Sequence, residues 1–262
     1  MRKNIQASLI HLSVSVSIVS LVLLFTLLVC YPTPYFHAMG VKNILVILAI
    51  ADITIGPIIT LIIYDPLKRL IKFDLAVVAI LQLIALGYGV STILAGRPVY
   101  VVYFEDRFIL ESAFDIPKVE LDKVNTSMLP FTGPRIVAVQ LPKDKTKLKS
   151  LIQEGASQSK WLPQMPSLFI PYASVAENVK SKLKELDELR FSQPTETLDS
   201  MEEEVTEALT INMLKREEVG FIPVEGQTTN LTALIKKSDA SVIRIIVVDP
   251  FIKKTSKNLN IN

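Results

Sequence analysis

Cysteine and histidine are nearly absent from this 262-residue chain, which has one cysteine, Cys30, and two histidines, His11 and His37. A single cysteine excludes an internal disulfide framework, and together the three residues make no plausible zinc cluster. Because no histidine lies beyond position 37, a Ser-His or Cys-His nucleophile system is excluded from the rest of the chain. Gly-x-Ser-x-Gly, phosphate-loop and dinucleotide-binding patterns are missing too. Net charge is scarce: 28 basic against 26 acidic residues leave +2, which gives no electrostatic reason to expect nucleic acid. The most informative shortage is local. Residues 1–96 hold only nine Asp, Glu, Lys or Arg, six basic and three acidic, and the other 45 lie beyond. The chain therefore reads as an apolar block, 1–96, followed by a block of ordinary polarity, 97–262.

Three runs fill the first block. Residues 9–29 carry no charged side chain apart from the ionisable His11, residues 44–64 carry only Asp52, and residues 75–96 carry none. Each is about the 20 residues that a helix needs to cross a bilayer, so all three are expected to span one. The first run exceeds a signal-peptide core of about 7–15 residues and no small-x-small cleavage site comes after it. Cys30, at the membrane edge, is expected to be inert. Basic residues set the orientation. Arg2, Lys3, Lys68, Arg69 and Lys72 lie on one side, against Lys42, Arg97 and Arg107 on the other. This places the amino terminus inside and everything after Gly96 outside, which in a bacterium is the periplasm. Tyr31, Tyr35 and Phe36 then belong to an outer aromatic girdle.

Polar residues within the spans carry most of the information. An acid at mid-span costs about 2.5–3.5 kcal/mol on insertion scales, so Asp52 calls for a reason. Gly56 and Thr60 succeed it at helical spacing on one face, and Pro57 should kink the helix. Gln82, Ala85, Gly89 and Gly96 form a small and polar stripe on the third span, as Ser13, Ser17 and Ser20 do on the first. Two readings stay open. In one, the stripes face each other and Asp52 bonds Gln82 or a serine, holding a compact bundle. In the other, a stripe receives a helix from another protein, and Asp52 meets a positive group on it. Arg97 and Pro98 mark the membrane exit, where they anchor to headgroups or couple the bundle to the second block.

The second block is expected to be an α+β domain with a mainly antiparallel sheet. Strands are predicted at 99–104, 107–113, 135–141, 221–224, 231–235 and 242–248 from their Val, Ile, Tyr and Phe content. A hairpin turns at the Lys-Lys-Ser-Asp-Ala-Ser segment. Amphipathic spacing predicts helices over 143–158, 174–190 and 196–215, the last stopped by Gly220, while three prolines make 161–172 a loop. Glu202–Glu204 reads as a solvated face. Glu105, Asp106 and Asp115 are the nearest approach to paired carboxylates, and acids are common at strand ends. No catalytic, cofactor-binding or metal-ligating residue is assigned, and the chain is not expected to be an enzyme.

Several motifs occur in a telling order: Tyr31-Pro32-x-Pro34-Tyr35-Phe36, Asp52-x-x-x-Gly56-Pro57-x-x-Thr60, Gln82-x-x-Ala85-Leu86-x-Tyr88-Gly89, Arg97-Pro98-Val99-Tyr100 and Asp106-Arg107-Phe108. Over residues 30–110 the chain resembles the type IV pilin accessory proteins of the TfpX/TfpZ type. The resemblance implies a multi-pass inner-membrane protein that assists or modulates pilus assembly from its cognate major pilin, in a chaperone-like rather than catalytic way. It implies two partners, the pilin and the lipid bilayer, while nothing in the sequence sets an oligomeric state. Pilins of this class wait in the bilayer as apolar helices with a positive mature amino terminus. Asp52 is a candidate to pair with it, since the spans contain no lysine or arginine. Gly56, Pro57, Thr60, Gln82 and Gly89 are the candidate pilin-contact or bundle residues. The rival reading is a membrane-tethered periplasmic sensor or scaffold unrelated to pili. A transporter is poorly served by one acid in three spans, and one aspartate cannot form a protease dyad.

Overall fold

A computed structural model describes residues 2–124, 129–157 and 161–251. Among these described residues, three helices are long and apolar enough to cross a membrane: α1 (Lys3–Cys30), α2 (Val41–Ile63) and α3 (Ile71–Ala95). The chain divides into two compact units. The first comprises Met1–Phe36, Gly40–Arg97 and the short segment Phe131–Gly133. The second comprises His37–Met39, Pro98–Pro130 and Pro134–Asn262.

In the first unit α2 is central, with α1 and α3 both packed on it. Its path is set by Pro57, which has no N–H to give a preceding carbonyl. The helix accommodates this by widening to a π-helical stretch at Ile50–Ile55, where Gly56 N–H reaches back to the Ala51 carbonyl. The end of α1 widens likewise over Thr26–Cys30. Tyr31, read from sequence as part of an interfacial girdle, is instead 1% exposed, and its hydroxyl donates to the Ile93 carbonyl at 2.8 Å. A buried phenol keeps such a partner because leaving it unpaired costs more than the bond gains.

The second unit is built on a mixed eight-stranded sheet. Its strands are β1 (Pro98–Phe104), β2 (Arg107–Ser112), β3 (Arg135–Val139), β4 (Phe169–Pro171), β5 (Lys184–Glu185), β6 (Val219–Glu225), β7 (Leu231–Lys236) and β8 (Val242–Ile246). The order is β4-β3-β1-β2-β6-β7-β8, with β5 beside β6. Most pairs are antiparallel, but β1 with β3 and β2 with β6 are parallel. One edge of β6 is shared: β5 pairs with Gly220 and Phe221, and β2 with Val224 and Glu225. β1 is buried along its whole length, as suits a continuous apolar run in mid-sheet. Leu186 and Leu189, with Met201, Val205 and Ala208 of α8 (Thr195–Ile211), pack on Val219, Phe221, Leu234 and Ile246.

Four expectations are corrected. The single helix over 174–190 is broken into α6 (Ala176–Lys182), β5 and α7 (Leu186–Ser192). β6 recruits the middle of it: a Cβ on Gly220 would lie 2.9 Å from the Lys184 carbonyl, so glycine is what lets β5 pair there. For the same reason Gly220 is a strand residue, and the preceding helix ends at Ile211, with Met213 in the left-handed region. The proline-rich 161–172 segment is not all loop. After two short 3-10 turns it forms β4, at the sheet edge where proline is tolerated. Two further helices are α4 (Lys118–Lys123) and α5 (Lys145–Ser157), and Gln158 of the expected helix lies outside the described residues. Glu202 is not merely solvated, since Arg216 grips it with two bonds, at 2.7 and 3.1 Å.

Candidate functional site

The polar residues of the three spans converge on Gly56. Asp52, 6% exposed, sits one turn before it on α2, and Thr60, 3% exposed, one turn after. A Cβ on Gly56 would stand 2.0 Å from Gln82 Nε2 and 3.1 Å from His11 Nε2. Glycine here is a notch through which a side chain from each neighbouring helix reaches the α2 backbone. The Gln82 amide hydrogen-bonds the Asp52 carboxyl. His11 Nδ1 lies 2.6 Å from Thr60 Oγ1, and Ser8 Oγ donates to the Pro57 carbonyl at 2.9 Å. The buried acid is therefore tied to a neighbour in the bundle, as a charge in hydrocarbon requires.

Two cavities flank this node. The larger, about 660 Å³, is a groove between α2 and α3. Ile55, Ile59, Val77 and Leu81 form its apolar walls, with Asp52 and Gln82 among its lining. Lys68 and Asp74 line it as well, paired with each other. The smaller cavity, about 210 Å³, is lined by His11, Ser15 and Ile18 of α1, Leu83 and Leu86 of α3, and again Asp52 and Gln82. Asp52 and Gln82 thus face both.

Of the sequence candidates, Asp52, Gly56, Thr60 and Gln82 meet in one place, and Pro57 is buried beside them. Gly89 serves elsewhere: a Cβ there would be 2.8 Å from Leu48 Cδ1, so it sets a close approach of α2 and α3. Ser13, Ser17 and Ser20 do not join the node. They lie on the exposed side of α1, where Ser13 and Ser17 donate to the carbonyls of Leu9 and Ser13 in their own helix. The inward face carries Ser8, His11, Ser15 and Val19 instead. His11 is the site residue that sequence reading passed over, and it brings an imidazole from α1 onto Thr60 and the Gly56 notch. Its signal was spacing, because Ser8, His11 and Ser15 recur at helical intervals. At the exit, Arg97 donates to the Leu94 carbonyl at 2.6 Å and its guanidinium lies 5.3 Å from the Phe131 ring. Pro98 opens β1.

In the second unit, Glu105 and Asp106 form the β1–β2 turn, and Asp106 pairs with Arg107 at 3.0 Å. Asp115 lies apart from them, accepting from Ser112 N–H and Oγ and from Gln227 Nε2.

A family model for fimbrial assembly protein FimB matches residues 1–40. The chain is 27% identical over 246 residues to the fimbrial assembly protein, serogroup I, of Dichelobacter nodosus, covering 92% of this chain and 94% of that one. It is 28% identical to the serogroup E1 protein of the same organism, over 85% and 86% of the two chains. With the protein of serogroups C1 and C2 the identity is 33%, over 41% of this chain and 83% of the relative. No solved structure matches the chain. The likeness to these assembly proteins runs through the membrane spans and the sheet alike, and the chain belongs to the fimbrial assembly protein family, a type IV pilus assembly family.

Proposed function

We propose that this protein promotes pilus assembly by receiving the membrane helix of its cognate pilin in the groove between α2 and α3. The observation that carries the reading is that groove itself: an apolar trough of about 660 Å³ with a carboxyl, Asp52, in its lining. An apolar helix fits the walls, and a helix bearing a positive amino terminus gives the acid the counter-charge that hydrocarbon denies it. Binding would hold the pilin apart from other apolar helices until it is handed on. The role is non-catalytic and chaperone-like. The distribution of basic residues favours a cytoplasmic amino terminus in the inner membrane and a periplasmic second unit. There the sheet unit is free to contact the pilin head, which would supply cognate selectivity.

The test is genetic. A strain lacking the protein should lose most surface pili, and the wild-type chain should restore them. Asp52→Asn, which keeps shape and a hydrogen bond to Gln82 but removes the charge, should restore several-fold fewer pili at equal protein level. Full restoration by Asp52→Asn would remove the charge pairing from the account. Pili unaffected by deletion would favour the sensor or scaffold reading.

A further inference from the structure

We infer that the second unit binds a lysine or arginine side chain, carried on an extended segment of a partner protein, in a groove at one end of its sheet. The groove, about 620 Å³, lies where β1 and β3 part. These strands run parallel and stay paired as far as Tyr103 with Ala138. Beyond that point β1 turns back at Glu105 into β2, while the chain of β3 continues through Val139 and Gln140 to Leu141. α6 and the end of β4 complete the lining with Asn178 and Ile170. The carboxyl ends of parallel strands are a common place for a ligand, because the ladder has stopped there and side chains converge. All the lining residues belong to the second unit, so the inference goes beyond the helix-docking role and does not depend on it.

The walls set the chemistry of the occupant. Leu141, Ile170 and Val175 supply apolar surface, and most of the polar groups are offered as acceptors. Ser174 Oγ gives its proton to the Pro171 carbonyl at 2.5 Å. The Tyr103 hydroxyl faces two acceptors, the Glu105 carbonyl at 3.0 Å and Asn178 Oδ1 at 2.9 Å, with one proton between them. Glu105 is the charged residue of the lining, and no ion pair holds it among the described residues. Arg107 is taken by Asp106 at 3.0 Å and by Glu225 at 3.6 Å. The backbone of Glu105 is left-handed, with φ at 59°, in a two-residue turn where glycine is the least strained choice. No described bond of its carboxylate offsets that strain, which marks the side chain as kept for a partner. A basic side chain fits every wall: its aliphatic stem covers the apolar surface, and its head brings donors and a positive charge to Glu105. Gln140 and Asn178 add side-chain amides, which match the peptide groups of an extended chain.

The test uses the full-length protein in detergent and the fluorescence of Trp161, which packs edge-on against Phe104 of the lining with ring centroids 6.0 Å apart. The probe is a capped pentapeptide, Thr-Val-Lys-Val-Thr, beside its counterpart with norleucine for lysine, which keeps the stem and lacks the ammonium. The lysine peptide should shift the signal saturably and bind roughly tenfold tighter than the norleucine peptide, the scale of one exposed charge-assisted hydrogen bond. Glu105→Asn removes the charge and is at ease in the left-handed region. It should bring the two peptides to equal affinity, with a urea midpoint no lower than that of wild type. The inference is overturned by the absence of a saturable shift, by equal binding of both peptides to wild type, or by a lysine preference that survives Glu105→Asn. A midpoint lowered by Glu105→Asn would show the glutamate kept for the turn, and overturns it too. So would n-butylamine competing as strongly as the lysine peptide, since the occupant would then be a free amine.

Discussion

Replacing Glu111 with glutamine should stabilise the second unit at pH 8 and leave it almost unchanged at pH 4. Glu111 stands on β2, 3% exposed, and its carboxyl is pushed up to about 7 from 4.5. Burial is the main cause; the charges of Asp115 and Glu225 add to it, and a hydrogen bond from Gln164 opposes them. A carboxyl raised in the folded state favours folding below its unfolded value and loses that contribution as pH climbs through its folded value. Stability should therefore drain from the wild-type unit between about pH 4.5 and 7, by on the order of 3 kcal/mol. Glutamine has the same shape, keeps the bond to Gln164 and does not ionise. The single tryptophan, Trp161, packs edge-on to Phe104 with ring centroids 6.0 Å apart and reports on this unit. Urea titrations of the detergent-solubilised protein, followed by its fluorescence, should show the wild-type midpoint falling across this window and the Glu111→Gln midpoint nearly flat. Equal pH slopes in the two proteins would contradict the assignment.

Phe108→Ala should cost more than any surface change, about 3–5 kcal/mol. The ring is fully buried and meets two tyrosines, Tyr103 at 5.4 Å and Tyr172 at 5.6 Å between centroids. Those tyrosines reach further. The Tyr172 hydroxyl donates to the Ala240 carbonyl at the β7–β8 turn, and the Tyr103 hydroxyl lies 2.9 Å from Asn178 Oδ1 on α6. Truncating Phe108 leaves a cavity at the centre of a cluster that joins β1, β2, α6 and the hairpin tip. Phe114, 81% exposed, is the matched control, and its alanine variant should stay within about 0.5 kcal/mol of wild type. The same tryptophan signal reads both, and comparable losses for the two variants would show that the cluster does not anchor the sheet.

How much of the fold and the site was legible in the sequence varied with the range of the interaction. The spans were plain, because bilayer thickness imposes a length on any apolar run. Asp52, Gly56 and Thr60 were placed on one face by helical spacing alone, and their pairing with Gln82 was among the alternatives. His11 was not found as their neighbour, because its nearness depends on how α1 rotates against α2, and packing sets that rotation. The serines misled for a related reason. A hydroxyl that donates to its own helix needs no partner, so Ser13 and Ser17 sit comfortably on the exposed side. In the second unit the strands of strong local character, β1, β2, β3, β6, β7 and β8, were read nearly in full. β4 and β5 were missed because each exists through pairing with a remote strand, which overrides the prolines of one and the helical periodicity around the other. The parallel pairs β1–β3 and β2–β6 had no local signal at all.

The central claim is that a pilin helix lies between α2 and α3. It is tested most directly by placing a photocrosslinker at Leu81, which lines the groove, and at Ile62, which is 75% exposed but lies outside it. A strong pilin adduct from Leu81, a weak one from Ile62, and loss of the Leu81 adduct with Asp52→Asn are the results expected. Equal adducts from both positions, or none from Leu81 in piliated cells, would contradict the account.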